Sequence, residues 1–104
     1  MQCLLTVRRL KPGAFEEFRN DWAPDRWHKR MVRAYHLRNQ DDPDEVVTFA
    51  LFEGSAEDLD AIRDEQKWMA GEERRLRRIA ALEESVIASG VYEVVDEIVP
   101  VPGS

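Results

Sequence analysis

The segment DDPDEVVTFALFEGSAED, residues 41–58, contains a turn, a strand and the start of a helix. Pro43 presets φ and its aspartate neighbours can hydrogen-bond nearby backbone, which predicts a chain reversal at residues 41–44. The strand, residues 46–52, is apolar on both faces, so neither face suits water. Ser55, with Asp58 three residues later, has the spacing of a helix capping box. This segment therefore predicts a hairpin strand that is buried on two sides and leads into a helix.

Composition places residues 1–104 in one soluble globular domain. Of the 104 residues, 43% are apolar and 35% are charged, with five glycines and five prolines. A chain of this length buries roughly two thirds of its unfolded surface and needs no metal or disulfide for stability. We expect a single domain with its own core.

The charge pattern and the apolar runs exclude several partners. The formal net charge is −6, with acidic residues along the whole chain, which is unsuited to nucleic acid. No apolar run approaches the ~20 residues that span a bilayer, and the N-terminus lacks the pattern of a signal peptide. Cys3 is the only cysteine, which argues against a disulfide framework. We therefore expect a cytoplasmic protein without nucleic-acid or membrane partners.

Hydrophobic periodicity and turn residues predict the remaining elements. They are a strand at 2–9, a helix at 14–22, a second strand at 31–39, a helical segment at 56–88 and a last strand at 91–99. Gly71 predicts a break or bend within the long helical segment, and Gly90 predicts its C-cap. The order β-α-β-β-α-β is the ferredoxin-like arrangement, an α+β fold with an antiparallel sheet and both helices on one face.

Such a sheet has one face without helices. Because the strands at 2–9 and 46–52 are apolar on both faces, the uncovered face would expose more apolar surface than soluble monomers usually carry. A second copy, packed through a two-fold interface, is the simplest cover. We therefore expect a homodimer.

Two stretches resemble the antibiotic biosynthesis monooxygenase-like group of the dimeric α+β barrel superfamily. KPGAFEEF, residues 11–18, resembles the group's strand-to-helix junction, and residues 42–55 resemble its hairpin and third strand. The resemblance covers nearly the whole chain. It implies a homodimer whose sheets close a barrel, with a pocket between sheet and helices in each subunit. The superfamily includes cofactor-independent oxygenases of polycyclic phenols, haem-degrading enzymes, lactone isomerases and proteins without known activity.

The chain departs from this group at several positions. Phe52 stands where members often have tryptophan, which keeps the bulk and loses the indole donor. At the positions of the haem-degrading branch's iron ligand and its tryptophan, this chain has Glu72 and Ile62, and no histidine follows His36. Haem degradation is therefore disfavoured. No Gly-rich phosphate loop follows a strand and no His and carboxylate cluster has metal-ligand spacing, so we expect neither a nucleotide nor a metal. The resemblance to cofactor-independent oxygenases implies that no other cofactor is needed.

Two histidines are the candidate catalytic residues. His36, in the second strand, can act as a general base toward an acidic phenol or enol, or can simply hydrogen-bond across the sheet. His28 lies in the connector before that strand, where loops often rim a pocket, and its alternative is plain surface exposure. Whether the face of His36 or that of Tyr35 lines the pocket stays open.

Further residues are candidates for contacting an aromatic ligand. They are Trp68, Trp27, Tyr35, Arg33 and Tyr92. Indole offers a broad apolar wall with one donor, and arginine can hold an anionic oxygen. Trp22 continues an apolar helical stripe and is expected in the core, while Trp68 can instead pack at the dimer seam. The run at 72–78, EERRLRR, is interpreted as a solvated helix face with the ion pairs Glu72–Arg75 and Glu73–Arg77.

Two functions follow from these residues and the resemblance. One is a small enzyme resembling cofactor-independent monooxygenases that act on aromatic or polyketide-like substrates. A deprotonated electron-rich substrate can itself reduce dioxygen, so the protein need only orient it, exclude water and move a proton. The other is a non-catalytic homodimer that binds a small ligand or serves as a scaffold. A pocket where a histidine converges with Trp68 would favour the enzyme.

Overall fold

The computed structural model describes residues 1–103. Its elements are β1 Gln2–Leu10, α1 Phe15–Trp22, β2 Met31–Arg38, β3 Glu45–Phe52, α2 Ala56–Lys67, α3 Glu72–Leu82 and β4 Glu83–Glu93. The strands form one antiparallel sheet in the order β2-β3-β1-β4. The predicted ferredoxin-like α+β fold is thereby confirmed. Within this described range, no helix is long and apolar enough to cross a membrane.

The local signals in residues 41–58 form as predicted. The Ser55 hydroxyl accepts a hydrogen bond from the Asp58 amide at 3.1 Å, and the Ser55 amide donates to the Asp58 carboxylate at 2.8 Å. At the hairpin turn, the Asp44 amide donates to the side chain of Asp42. The other oxygen of that carboxylate lies 2.7 Å from the Arg9 guanidinium, which ties the turn to β1.

The C-terminal third differs from the sequence prediction. The helical segment ends at Leu82 instead of residue 88, and residues 83–93 pair with β1 along its whole length. Gly90 is therefore a strand residue opposite Leu5, not a helix cap, and no strand occupies residues 94–99. The long-range pairing with β1 outweighs the helical periodicity of this stretch.

The predicted break at Gly71 is confirmed. Gly71 has φ of 82°, in the left-handed region where side chains are strained, and it precedes the first residue of α3. α2 ends at Lys67, so two helices replace the single long one. Both run on the same side of the sheet as α1.

Strand register defines which residues face the helices. The row His36, Thr48, Thr6 and Ser89 crosses all four strands on the helix side. The main core lies toward one end of this side, where Leu10, Phe18, Val46 and Ile79 are buried together. The remaining part of this side is not filled by α1.

No helix within residues 1–103 lies over the opposite face of the sheet. Its apolar side chains are Cys3, Leu5, Val7, Tyr35, Leu37, Val47, Phe49, Leu51 and Tyr92. Tyr35 stacks on Phe49 with ring centroids 5.0 Å apart, yet Tyr35, Leu37 and Tyr92 remain 43%, 47% and 54% exposed. The doubly apolar character of β1 and β3 therefore leaves an apolar face in contact with solvent in the single chain.

Candidate functional site

A cleft of 970 Å³ lies between the helix side of the sheet and helices α2 and α3. This volume is within the range of about 300–1,000 Å³ for small-molecule sites. Leu4, Thr48, Ala50 and Phe52 form part of its floor. The small side chains at 48 and 50 leave space above β3, because α1 packs toward the other end of the sheet.

Aromatic and apolar side chains form one wall of the cleft. Trp22, at the end of α1, and Trp27, in the following connector, have ring centroids 5.7 Å apart and a tilt of 46°. Met31 and Phe52 continue this surface. Trp22 thus lines the cleft as well as packing beside the core, which the sequence interpretation missed. The wall suits a flat aromatic ligand.

His36 lies beside the floor of the cleft, on the same side of the sheet as Thr48. Its Nδ1 is 3.0 Å from the hydroxyl oxygen of Thr48, which lines the cleft. Its ring packs edge-on against Phe18 and Trp22, with centroids 5.5 Å and 4.8 Å away. Burial lowers the pKa of His36, and the positive charges of Arg8 and Arg19 lower this pKa further. The imidazole is therefore neutral at neutral pH and contacts Thr48, a buried residue of the cleft lining.

His28 lies at the rim and joins the connector to α2. Its Nε2 is 2.9 Å from the Glu65 carboxylate, and its Nδ1 accepts a hydrogen bond from the Arg30 amide at 3.1 Å. An Nδ1 that accepts leaves the proton on Nε2, which then donates to Glu65. Both ring nitrogens are engaged, so His28 shapes the rim and offers no free base to the cleft.

Two arginines of the cleft were missed by the sequence interpretation. Arg8 of β1 faces the helices, and its Nε is buried without a hydrogen-bond partner in the described part of the chain. Arg75 of α3 donates to both carboxylate oxygens of Glu72 at 3.0 and 2.7 Å, and also to the Trp22 carbonyl. Because side chains alternate along β1, Arg8 shares a face with Leu4. No sequence signal shows whether this face or the opposite one lies toward the helices.

The run at 72–78 is only partly a solvated face. Glu73 and Arg77 form the predicted exposed pair, at 4.0 Å. Glu72 and Arg75 also pair as predicted, but Glu72 is 5% exposed and lines the cleft. Burial alone would raise the pKa of Glu72, but hydrogen bonds from Arg75 and Gln66 outweigh it and the pKa is lowered. Glu72 is thus a buried carboxylate held ionised by its partners.

The other predicted ligand contacts lie away from this cleft. Trp68 follows the end of α2, is 80% exposed and lines a separate shallow depression. Tyr35, Arg33 and Tyr92 lie on the uncovered face of the sheet. A hydrogen bond to Tyr35 raises the pKa of Arg33. Of the predicted residues, the structure brings Trp27 and His28 into the cleft lining and places His36 beside it, against Thr48. For the other four, ligand binding stays a prediction that this cleft does not support.

Several solved structures have the same fold as this chain, among them the following three. A Nitrosomonas europaea protein, provisionally named an antibiotic biosynthesis monooxygenase, is 16% identical with a TM-score of 0.69, covering 92% of this chain and 100% of its own. SnoaB, a cofactor-independent oxygenase from Streptomyces nogalater, is 16% identical with a TM-score of 0.64, covering 93% and 95%. A NIPSNAP family protein from Agrobacterium tumefaciens is 14% identical with a TM-score of 0.65, covering 99% and 88%.

Sequence comparison adds no closer relative. No protein-family model matches the chain, and no curated protein matches it significantly. The structural likenesses extend over nearly the full length on both sides, at identities that show a shared fold alone. The chain therefore has the fold of the antibiotic biosynthesis monooxygenase-like structures.

Proposed function

We propose that this chain is a small-molecule enzyme of the cofactor-independent monooxygenase type, acting on an aromatic, polyketide-like substrate in the cleft. What supports this activity is the hydrogen bond between His36 and Thr48 at the floor of an aromatic-lined cleft. A flat ring would lie against Trp22 and Trp27. SnoaB, which has the same fold, is a cofactor-independent oxygenase, and this likeness supports the reaction class.

The substrate supplies the electrons in this reaction. An anthrone-like carbon acid loses a proton from its CH₂ group, and the resulting carbanion forms a C–O bond with dioxygen. Protonation gives a hydroperoxide, which loses water to leave a carbonyl, so that R₂CH₂ + O₂ gives R₂C=O + H₂O. One oxygen atom enters the product and the other leaves as water. The protein is required to orient the ring, exclude water and move the proton.

Thr48 and His36 provide a route for that proton. The Thr48 hydroxyl accepts the proton of the substrate while its own proton passes to Nδ1 of His36. This transfer needs an unprotonated Nδ1, and the lowered pKa of His36 keeps the imidazole neutral. A positioned base of this kind accelerates proton removal by roughly 10²–10⁴-fold. Thr48 is therefore the group that touches the substrate, and His36 acts through it.

Dioxygen uptake tests this function. The protein is incubated with a panel of anthrones and hydroquinones, and uptake above the uncatalysed rate is compared for the parent, Thr48→Val and His36→Gln. We expect turnover of at least one anthrone by the parent and a fall in kcat of about 10²-fold or more in both variants. Arg9→Gln, whose side chain lies outside the cleft against Asp42, is the matched control and should retain parent activity. No turnover by the parent, or parent rates in both variants, would contradict the assignment.

A non-catalytic binding protein is the second candidate. It is favoured by the position of His36, whose ring packs beside the floor against Phe18 and Trp22, and by the position of Trp68 outside the cleft. In that case the same aromatic compounds would quench tryptophan fluorescence by binding beside Trp22 and Trp27, without dioxygen uptake. Binding with no turnover across the panel would select this function over the enzyme.

We also propose that the uncovered sheet face is covered by a second copy of the chain. This face extends across all four strands, and its side chains Tyr35, Leu37 and Tyr92 are about half exposed. A two-fold pairing would bury the same patch on both copies. Tyr35 and Tyr92 would then pack in the interface, remote from the cleft of their own subunit.

A further inference from the structure

We propose that Arg8 anchors a negatively charged oxygen in the cleft, so that the preferred ligands are aromatic monoanions with a carboxylate or phenolate group. This inference rests on the proposed function in placing an aromatic ligand in the same cleft. It adds the charge of the ligand and the residue that selects it. Neither follows from the fold.

The first support is the unmet hydrogen bonding of Arg8. A guanidinium has five N–H donors, and the Nε of Arg8 is buried with no partner within residues 1–103. The Glu83 carboxylate is 3.5 Å from this atom, at the limit of a hydrogen bond. Leaving a buried donor unpaired is costly, so this guanidinium is poorly satisfied by its own chain. The exposed 15% of the side chain, which contributes to the cleft lining, is the part that an acceptor in the cleft can reach.

The second support is that the guanidinium is held in position. The side chain is only 15% exposed, and its Cζ lies 5.3 Å from the centroid of the buried Phe18 ring. Cation–π contact on this side leaves the cleft side for a ligand, since Arg8 contributes to the lining of the cleft. A fixed guanidinium loses little further conformational entropy when it binds an oxygen anion.

The third support is that Arg8 is the less fully engaged of the two cleft arginines. Arg75 donates to both carboxylate oxygens of Glu72 and to the Trp22 carbonyl. Arg8 has the Glu83 carboxylate as its ion-pair partner, but at 3.5 Å this contact is long. Burial lowers the pKa of Arg8, Glu83 opposes this effect, and Arg75 lowers the pKa further. Arg8 is therefore the cleft arginine that an anionic oxygen can still engage.

The rim near α2 has charges of both signs. Asp60 and Asp64 line the cleft together with Arg63 and Lys67, and Lys67 lies 3.7 Å from Asp64. These exposed charges offset one another and are screened by water. The single anchor at Arg8 therefore favours an aromatic body with one charged end.

Matched ligands test this inference without any change to the protein. 2-Naphthoate and 2-naphthamide have nearly the same shape but differ in charge, and both can be titrated against tryptophan fluorescence. The parent should bind the carboxylate roughly 10- to 100-fold more tightly, the range for a hydrogen bond to a charged group. A nitrated naphthol that is ionised at neutral pH tests whether a phenolate binds as well. If only the carboxylate or only the phenolate binds tightly, that ligand identifies the anionic group that the site takes.

Variants assign the preference to Arg8. Arg8→Gln should bring the two naphthalene ligands to within about twofold of each other, and Arg8→Lys should keep part of the difference. Arg9→Gln, on the same strand but the other face, should keep all of it. Circular dichroism and thermal unfolding establish that each variant is folded.

The outcomes separate this inference from the proposed reaction. Equal affinity for the two ligands in the parent, no binding of either, or a preference that persists in Arg8→Gln would overturn the anion anchor. A clear charge preference without dioxygen uptake on any substrate would keep the anchor and reject the oxygenase.

Discussion

The imidazole of His36 and the hydroxyl of Thr48 are directly opposite each other on β2 and β3, with Nδ1 and Oγ1 3.0 Å apart. This cross-strand pair explains why a half-buried histidine is tolerated beside Phe18 and Trp22. Thr48 also belongs to the cleft lining. The pair therefore joins β2 to β3, and the proposed proton transfer runs through it.

The first prediction concerns the pH dependence of turnover. Because burial, Arg8 and Arg19 lower the pKa of His36, the base stays unprotonated below the ordinary histidine value of about 6.5. The acidic limb of kcat/KM should have its midpoint below that value when measured from pH 5 to 8. A midpoint at or above 6.5 would show that another group is the base.

The same lowered pKa predicts a pH dependence of stability. As pH falls below about 6.5, the unfolded chain binds a proton at position 36 before the folded chain does, so the free energy of unfolding decreases. In urea titrations, the parent should lose more stability between pH 7.5 and 5.5 than His36→Gln. Asp42, Asp58 and Glu72, whose pKa values are lowered from already acidic ones, titrate below this window. Equal losses in parent and variant would contradict the effect of burial on His36.

A third prediction concerns the buried ion pair at the base of α3. Glu72→Ala leaves Arg75 beside the cleft without its carboxylate, and removing one partner of a buried pair costs about 3 kcal/mol or more. Chemical denaturation should show this loss. Glu73→Ala, one residue away in an exposed pair, is the control and should change stability by less than about 0.5 kcal/mol. Similar small losses in both variants would indicate that Glu72 is effectively solvated.

A fourth prediction concerns the uncovered sheet face. The parent should sediment as a dimer at micromolar concentration, because a second copy would bury the half-exposed Leu37 and its neighbours. Leu37→Glu places a charge in that interface and should yield a folded monomer. Ala81→Glu adds the same charge at an exposed site on α3 and should stay dimeric. A monomeric parent would reject the pairing.

Much of the fold was predictable from local chemistry. Pro43, Ser55 and Gly71 each impose a turn, a cap or a break by their own side chain or lack of one, so their structural effects were predictable without tertiary information. The boundary at Glu83 was not, because residues 83–88 continue the helical periodicity and only pairing with β1 decides their conformation.

The site was less predictable because it depends on orientation. Alternation groups His36 with Arg38 and Arg8 with Leu4, but which group faces the helices is fixed by the packing of α1 and α3. Trp68 was a candidate for the pocket because indole offers a broad apolar wall with one donor. Because α2 ends at Lys67, the indole instead projects into solvent.

Oxygen-isotope labelling tests the central claim most directly. The protein turns over an anthrone under ¹⁸O₂ in unlabelled water with a metal chelator present, and mass spectrometry determines the label in product and water. One ¹⁸O atom in each new carbonyl, with the second in water, is the result that a cofactor-independent monooxygenase gives. A carbonyl oxygen drawn from water, or product formed no faster than without protein, would contradict the account.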